Sequence, residues 1–466
     1  MTSKLAIFTT ALLLSSAAAQ ANIAISSEPT HDMECDAGVC TPTAKEAVLN
    51  VDDLTSMLAS GDVTVQGGDG IATAAGLEID HSFRWSSKSR LTLSMGNNII
   101  VNAPVTVAGS GALTLTYAQI KPDDDVLFRK KGKIQFRHMS SSLIIQGNSY
   151  VLANTLSSLS TAIAANPQGF FALASDYDAG QDGQYRAAPI YSIGEGHSSS
   201  GVLSGLGNTI QNLSVVTGAK HTSVSMIHLN YGVVRDVNLT NVDMRALRGV
   251  SQNAGGLLDY NLYAVKHCFT SGNVGGEGFY NGGLVALNLG TIVASHSAAT
   301  VSGIYAGGLV GINRGVVSQS FATGSVQKVR GTRFVGGLVG ENDHKIIDSY
   351  STASVSARRT AGGLIGLTDS KSRVSTSYSI GPVAGGYSGG FIGGDETPDH
   401  PADYWDIDTS GASNGCGGGG SCKGVTGLTD AQLKSSLPAK FDPEIWGQSP
   451  KINNGYPYLL ANPPPK

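Results

Sequence analysis

Near the C-terminal end, Asp406-Ile407-Asp408-Thr409-Ser410-Gly411 sets oxygen-bearing side chains at alternate positions ahead of a glycine, the way a calcium loop opens. Such a loop closes on a bidentate glutamate at its twelfth position. Gly417 stands there instead, so Asp406, Asp408 and Ser410 are weak metal candidates and the segment is expected to be a structural turn. Asp123-Asp124-Asp125 forms an acidic run in a turn led by Pro122, which reads as a solvated loop. Asp176 and Asp178 sit in a Ser-Asp-Tyr-Asp turn, where aspartate commonly caps backbone amides. The alternatives are a β-helix polysaccharide lyase or hydrolase, which needs the acidic run to meet a basic neighbour in a groove, and a structural cell-envelope component. Gly196 to Gly201 carries three serines beside His197, but there is no Gly-x-Ser-x-Gly and no oriented acid. No phosphate loop or dinucleotide fingerprint is present, so no catalytic residue and no cofactor is expected.

A net charge of -4 without clustered Lys and Arg argues against nucleic acid as a partner, and Arg129-Lys130-Lys131 reads as a solvated turn. Cys35 and Cys40 are close in sequence, and Cys416 and Cys422 are separated only by Gly-Gly-Gly-Gly-Ser. Both pairs are expected to close small disulfide loops in an oxidising compartment; zinc would favour two-residue spacing with histidines nearby. Cys268 is left over and is expected to be buried. Residues 1–21 point to the same compartment. Lys4, the apolar stretch Leu5 to Leu14 and the small residues Ser15 to Ala19 make a signal peptide, with cleavage after Ala19 or Ala21. No other apolar run reaches membrane length, so the mature chain is expected to lack a transmembrane anchor.

The elements that carry these residues are repeats. Gly-Gly-Leu, or Gly-Gly-Phe, begins at 255, 282, 307, 336, 362 and 389, at spacings of 27, 25, 29, 26 and 27. Charged residues are only 14% of the chain and glycines number 61, with Val, Ile and Thr abundant, so it folds, and folds into strands. One unit reads as a strand Gly308-Leu309-Val310-Gly311, a turn at Asn313 to Gly315, a strand Val316 to Phe321, and a glycine turn before Val326, with Gly and Asn supplying positive φ at the corners. A unit so small cannot bury its own apolar face, so neighbours must stack. The expected fold is all-β, a right-handed parallel β-helix (β-solenoid) with short capping helices.

In that register Leu257, Leu284, Leu309, Leu338, Leu364 and Phe391 form one interior ladder, and Phe269, His296, Phe321, Tyr350, Tyr378 and Tyr404 a second. Cys268 takes the place held by Ser295, Ser320, Ser349 and Ser377, which suggests a tight site. The expected order is a signal peptide (1–21), an N-terminal segment with a capping helix (22–61), irregular coils of the same rod (62–150), coils with an inserted helix (151–250), the regular repeats (251–410), and a glycine-rich loop with a C-terminal cap closing the far end (411–466). Helices are expected at Asp52 to Ala59, Thr155 to Ala165 and Thr429 to Leu437, the last opened by a Thr429/Gln432 capping box.

The Gly-Gly-Leu units, with their Asn-x-Gly turn and Ser-aromatic strand, resemble the GLUG motif repeats of bacterial exported proteins. Gly201 to Val216, the strands from Leu91 to Tyr117, and the tail Trp446 to Leu459 are similar to segments of filamentous-haemagglutinin-like exoproteins and adhesins, so the resemblance runs over about residues 60–460. It implies a bacterial protein, secreted, at the cell surface or in the periplasm, whose role is adhesion to a host or bacterial surface, a glycan or another polymer. A complete secretion domain of that family is not identifiable near the N-terminus, and the C-terminus resembles neither a membrane barrel nor a sortase anchor. Some GLUG-bearing proteins are metallopeptidases, but this chain has no His-Glu-x-x-His.

Overall fold

The structure, a computed structural model, describes residues 22–67, 76–118, 125–196, 200–219, 222–247, 253–276, 279–329, 331–396, 400–418 and 422–464. The signal peptide, Asp123, Asp124 and His197 lie outside these residues. The chain is a parallel β-solenoid with three short helices among the described residues.

A regular coil has four walls. In one of them Thr291–Val293 lies on the first wall, His296–Ser297 and Thr300–Gly303 on the second, Tyr305–Gly307 on the third and Val310–Asn313 on the fourth. Each strand pairs in parallel with its equivalents one coil away, so like residues stack. Leu257, Leu284, Leu309, Leu338, Leu364 and Phe391 are fully buried at the elbow between third and fourth walls, each amide bonded to the carbonyl of the next at 2.8 or 2.9 Å.

The corners differ from expectation. The paired glycines have ordinary φ and are needed for close approach: a Cβ on Gly307 would lie 1.9 Å from the Val310 carbonyl oxygen, and one on Gly308 2.1 Å from that of Gly337. Positive φ falls instead on Asp236, His267, Ala294, Gln319, Asp348 and Thr376, at 47–55°, which breaks the expected strand Val316 to Phe321 in two. Such a conformation costs an ordinary residue about 1–2 kcal/mol. The serine that follows offsets the cost, because Ser295, Ser320 and Ser349 each donate to a carbonyl two residues back and accept the backbone amide from the coil below. Cys268 opens this ladder, its amide donating to Ser295 Oγ at 3.1 Å. The Asn corner is a buried ladder too, with Asn230, Asn261, Asn288, Asn313 and Asn342 passing amide-to-amide bonds of 2.7–2.8 Å. Their φ is ordinary; what the site demands is a side chain that both donates and accepts.

The irregular coils have a core of their own, on a sheet that runs on into the regular repeats. Ser142–Ile145 and Asn148–Ala153 form an antiparallel hairpin inside an otherwise largely parallel 15-stranded sheet, so strand direction reverses there. The core changes sides as well. Leu143 and Ile145 belong to the N-terminal core, and past the hairpin that face carries Ala172 and Ala174, while Ala153, Phe171 and Leu173 face the C-terminal core. Both inversions together keep the sense of winding: the bodies around the two cores are related by a half-turn about the rod axis. Helix α1, Val51–Ser60, is capped by Asn50 and buries Val51, Leu54 and Leu58 in the N-terminal core. Helix α2, Leu156–Ala165, with a Thr155/Ser158 capping box, buries Leu156, Leu159 and Ile163 in the other.

The C-terminal segment does not simply close the end. Val425–Leu428 extends the second wall, and helix α3, Asp430–Ser435, begins with the Thr429/Gln432 capping box. The chain then runs back along the outside of the rod, where the Asn462 side chain bonds the Gln319 carbonyl at 3.4 Å and the His296 ring.

Candidate functional site

The side chains of the calcium-like segment accept hydrogen bonds from the chain itself. Asp406 Oδ1 accepts the amides of Asp408 and Thr409 at 2.8 and 3.1 Å, its Oδ2 accepts from the Tyr456 hydroxyl, Asp408 accepts the Asp430 amide, and Ser410 Oγ accepts the Ala412 amide. Cys35 pairs with Cys40 and Cys416 with Cys422, and Cys268 is a buried thiol. Asp176 accepts the Thr209 amide and Asp178 the Gly180 amide.

Asp125 was expected on a solvated loop; it is buried where the two bodies meet. It accepts from Tyr117 OH at 2.7 Å and pairs with Arg235 at 2.5 Å, while Arg235 also donates to Asp236 at 2.6 Å and to the Val126 carbonyl. Burial alone would raise the Asp125 carboxyl, but Arg235 and Tyr117 hold it below its usual range. Asp236, fully buried, is pushed up to about 6 despite Arg235, and His267 beside it is pushed down to about 4 by burial and then by the guanidinium. This cluster joins one core to the other across residues 110 apart in sequence.

The second expected ladder faces outward, a further correction. On a strand, neighbours point to opposite sides. Ala322 lies in the central core, so Phe321 points away from it. Phe321, Tyr350, Tyr378 and Tyr404 are buried by the returning C-terminal segment, under Phe441, Trp446, Tyr456 and Leu459. Rings stack from Phe269 through His296, Phe321 and Tyr350 to Tyr378 at 4.5, 4.6, 4.7 and 5.0 Å. Phe269 and His296, at the lower end, are half-buried.

A second outward aromatic row lies outside that apolar cluster, although Phe279 packs on Tyr280 and Tyr305 at 5.4 and 5.8 Å between ring centroids. On the third wall Tyr280, Tyr305, Phe334, Thr360 and Tyr387 are in register, with Ala306, Val335 and Ala361 alternating into the core. Tyr280 to Tyr305 is 5.6 Å and Tyr305 to Phe334 5.7 Å between ring centroids, and Tyr387 is 60% exposed. The adjoining fourth wall stacks Leu287, Ile312, Glu341 and Leu367. Leu287 and Ile312 are buried yet belong to none of the three apolar clusters, so they pack in the outer angle where the two walls meet. The Tyr280 phenol feels Glu341, Arg314 and Asp343 across it. Glu341 is pushed up to about 7, first by burial and then by Asp343, with Arg314 opposing; Arg314 pairs with Asp343 at 2.9 Å on the rim.

The sequence reading missed this row, although its signal is there: an aromatic stands two residues before Gly-Gly in Tyr280-Asn-Gly-Gly, Tyr305-Ala-Gly-Gly, Phe334-Val-Gly-Gly and Tyr387-Ser-Gly-Gly.

No family model matches the chain, and no curated protein matches it. Among solved structures it is similar to the crystal structure of a putative immunoglobulin A1 protease from Bacteroides ovatus, at 18% identity over 68% of this chain and 93% of that one, with a TM-score of 0.44. At that distance the likeness carries no argument about activity. Among the described residues, no helix is long and apolar enough to cross a membrane.

Proposed function

We propose that the chain is an exported, non-catalytic surface-binding protein, akin to the GLUG-repeat adhesins, that holds a glycan polymer along the outer angle between its third and fourth walls. The observation that carries the reading is the outward row Tyr280, Tyr305, Phe334 and Tyr387, which lies outside the C-terminal cover and is part-exposed along its length. A solenoid presents the same chemistry once per coil, and the natural counterpart is a ligand that also repeats. Aromatic rings pair an apolar face with, in tyrosine, a polar tip, which suits a sugar ring that has apolar faces and a hydroxylated edge. Glu341 and the Arg314–Asp343 pair add hydrogen-bonding groups along the same angle. The two disulfides fit an oxidising compartment outside the cytosol.

The test is co-sedimentation of the purified protein with insoluble polysaccharides and with whole cells. Binding to at least one is expected, with a loss of tenfold or more in the Tyr280→Ala/Tyr305→Ala double variant, roughly 1.4 kcal/mol. Failure to bind any polymer or cell, or undiminished binding by the double variant, overturns the proposal. Release of reducing sugar from a bound polymer would move the chain to the enzyme class.

A further inference from the structure

The lower half of the second wall holds a polar hollow on a different face from the aromatic row. In most regular coils this wall is two strands; Asn238–Ala246 crosses it as one, with a register shift between Leu239 and Val242 against the strand above. That is a bulge, which bends the wall locally. The bend recurs in three successive coils, with Asn212 at φ 60°, Asn241 at φ 54° and Gly272 at φ 123°. A Cβ on Gly272 would lie 2.3 Å from the Val242 backbone, so glycine is required for that approach. The result is an open hollow of about 440 Å³ lined by Asn212, Asn241, Val242, Asp243, Arg245 and Asn273, a size in the range of small-molecule sites.

Its side chains are braced. Asn241 Nδ2 donates to Asn212 Oδ1 at 2.7 Å, and Asn212 Nδ2 donates to Asp178 Oδ1 at 2.9 Å. Arg245 is held on Asp243 by two bonds of 2.5 and 2.7 Å. Charge and polarity narrow the ligand. Asp243 neutralises Arg245, which leaves no net attraction for a phosphate; the guanidinium disfavours a cation; Val242, the one apolar lining residue, is buried and offers nothing to a hydrophobic guest. What remains is a set of planar groups, three carboxamides, a carboxylate and a guanidinium, whose donors and acceptors beyond these braces can bond adjacent hydroxyls. We infer that this hollow is a subsite for a single neutral sugar residue with vicinal hydroxyls, such as the end or a side branch of a glycan. It is independent of the aromatic row, and the C-terminal segment that covers the upper coils of the same wall bonds through Asn462 at Gln319 and His296, above it.

The experiment is saturation-transfer NMR and calorimetry on the full chain with the methyl glycosides of glucose, galactose and mannose and with N-acetylglucosamine. At least one should bind saturably at millimolar concentration. Arg245→Ala and Asn241→Ala should each weaken it about tenfold, one good hydrogen-bonding group, while Tyr305→Ala leaves it unchanged. Arg245 and Asn241 are exposed, so both variants are expected to fold, which a cooperative melt verifies, with the melting temperature little changed for Arg245→Ala and modestly lower for Asn241→Ala because alanine is strained at φ 54°. Binding of none of the four sugars, or binding insensitive to Arg245→Ala and Asn241→Ala, overturns the inference. Loss on Tyr305→Ala alone would assign the sugar to the aromatic row, sinking the subsite and leaving that row intact; loss on Arg245→Ala alone, with no polymer bound, does the reverse.

Discussion

On the second wall Phe321, Tyr350 and Tyr378 stack nearly parallel, with interplanar angles of 8° and 6°, beneath a cover of the chain's own C-terminal residues. On the third wall Tyr280, Tyr305 and Phe334 repeat at the same coil interval, but their rings tilt by 64° and 37° and lie outside that cluster, with the exposed Phe279 packed on the first two. Both rows arise the same way, from one aromatic per coil at an outward position. An outward ladder is therefore not in itself a site. The covered row joins an apolar cluster that fastens a segment to the rod, whereas the open row leaves aromatic surface in water, and that is what a binding face requires. The covered row should respond to substitution chiefly in stability, the open row chiefly in binding.

The largest effect is expected at Trp446, fully buried against Tyr350, Tyr378 and Phe441. Trp446→Ala should destabilise by about 3–5 kcal/mol, the usual cost of emptying a large aromatic site, as read by denaturant unfolding, with glycan binding by the remaining folded protein unchanged. A loss of binding in parallel would mean that the cover, and not the open row, forms the recognition surface. A finer contrast lies within the covered row. The Tyr350 hydroxyl is buried without a partner among the described residues, whereas Tyr378 donates to the Pro457 carbonyl at 2.6 Å and accepts from Asn453. Tyr350→Phe should stabilise by about 1 kcal/mol and Tyr378→Phe should destabilise by a similar amount. Equal effects from the two would show that the segment does not sit as described.

How far the sequence exposes this difference depends on the range of the interaction. The stacking of Leu309 on Leu338 was legible because period and apolarity are written within each unit, and so was the α3 cap, a contact three residues long. The facing of Phe321 was not, because an aromatic between small residues alternates equally well inward or outward, and only Trp446, more than a hundred positions on, decides that outward can be buried. The same holds at the junction. Nothing local at Gln146-Gly147 says that the core changes sides, and Asp125 meets Arg235 only after the hairpin has turned one body onto the end of the other. The aromatic row was missed for a simpler reason: the reading gave the residues before Gly-Gly no place in the pattern, although their recurrence was visible.

On the open row the first expected effect is modest in stability. Tyr305→Ala should cost no more than about 1 kcal/mol, because the ring is only partly buried and its removal leaves a groove and not a closed cavity, while polymer binding falls severalfold. A stability loss as large as that of Trp446→Ala would erase the distinction between the rows.

The smallest effect concerns whether the open row lies in a true cleft or on a flat wall. On a flat wall Glu341 would titrate as an ordinary carboxylate; in the cleft burial pushes it up to about 7. A carboxyl raised in the folded state holds a proton there that the unfolded chain has already released, so between about pH 4.5 and pH 7 stability falls as pH rises. Glu341→Gln removes the penalty. The variant should match the parent at pH 4 and exceed it at pH 8, by about 1 kcal/mol once solvent screening of this half-exposed group is allowed for. Parallel stability curves for the two proteins across that window would show that water reaches Glu341 freely, and the walls would then not enclose the aromatic row on the side where a polymer is proposed to lie.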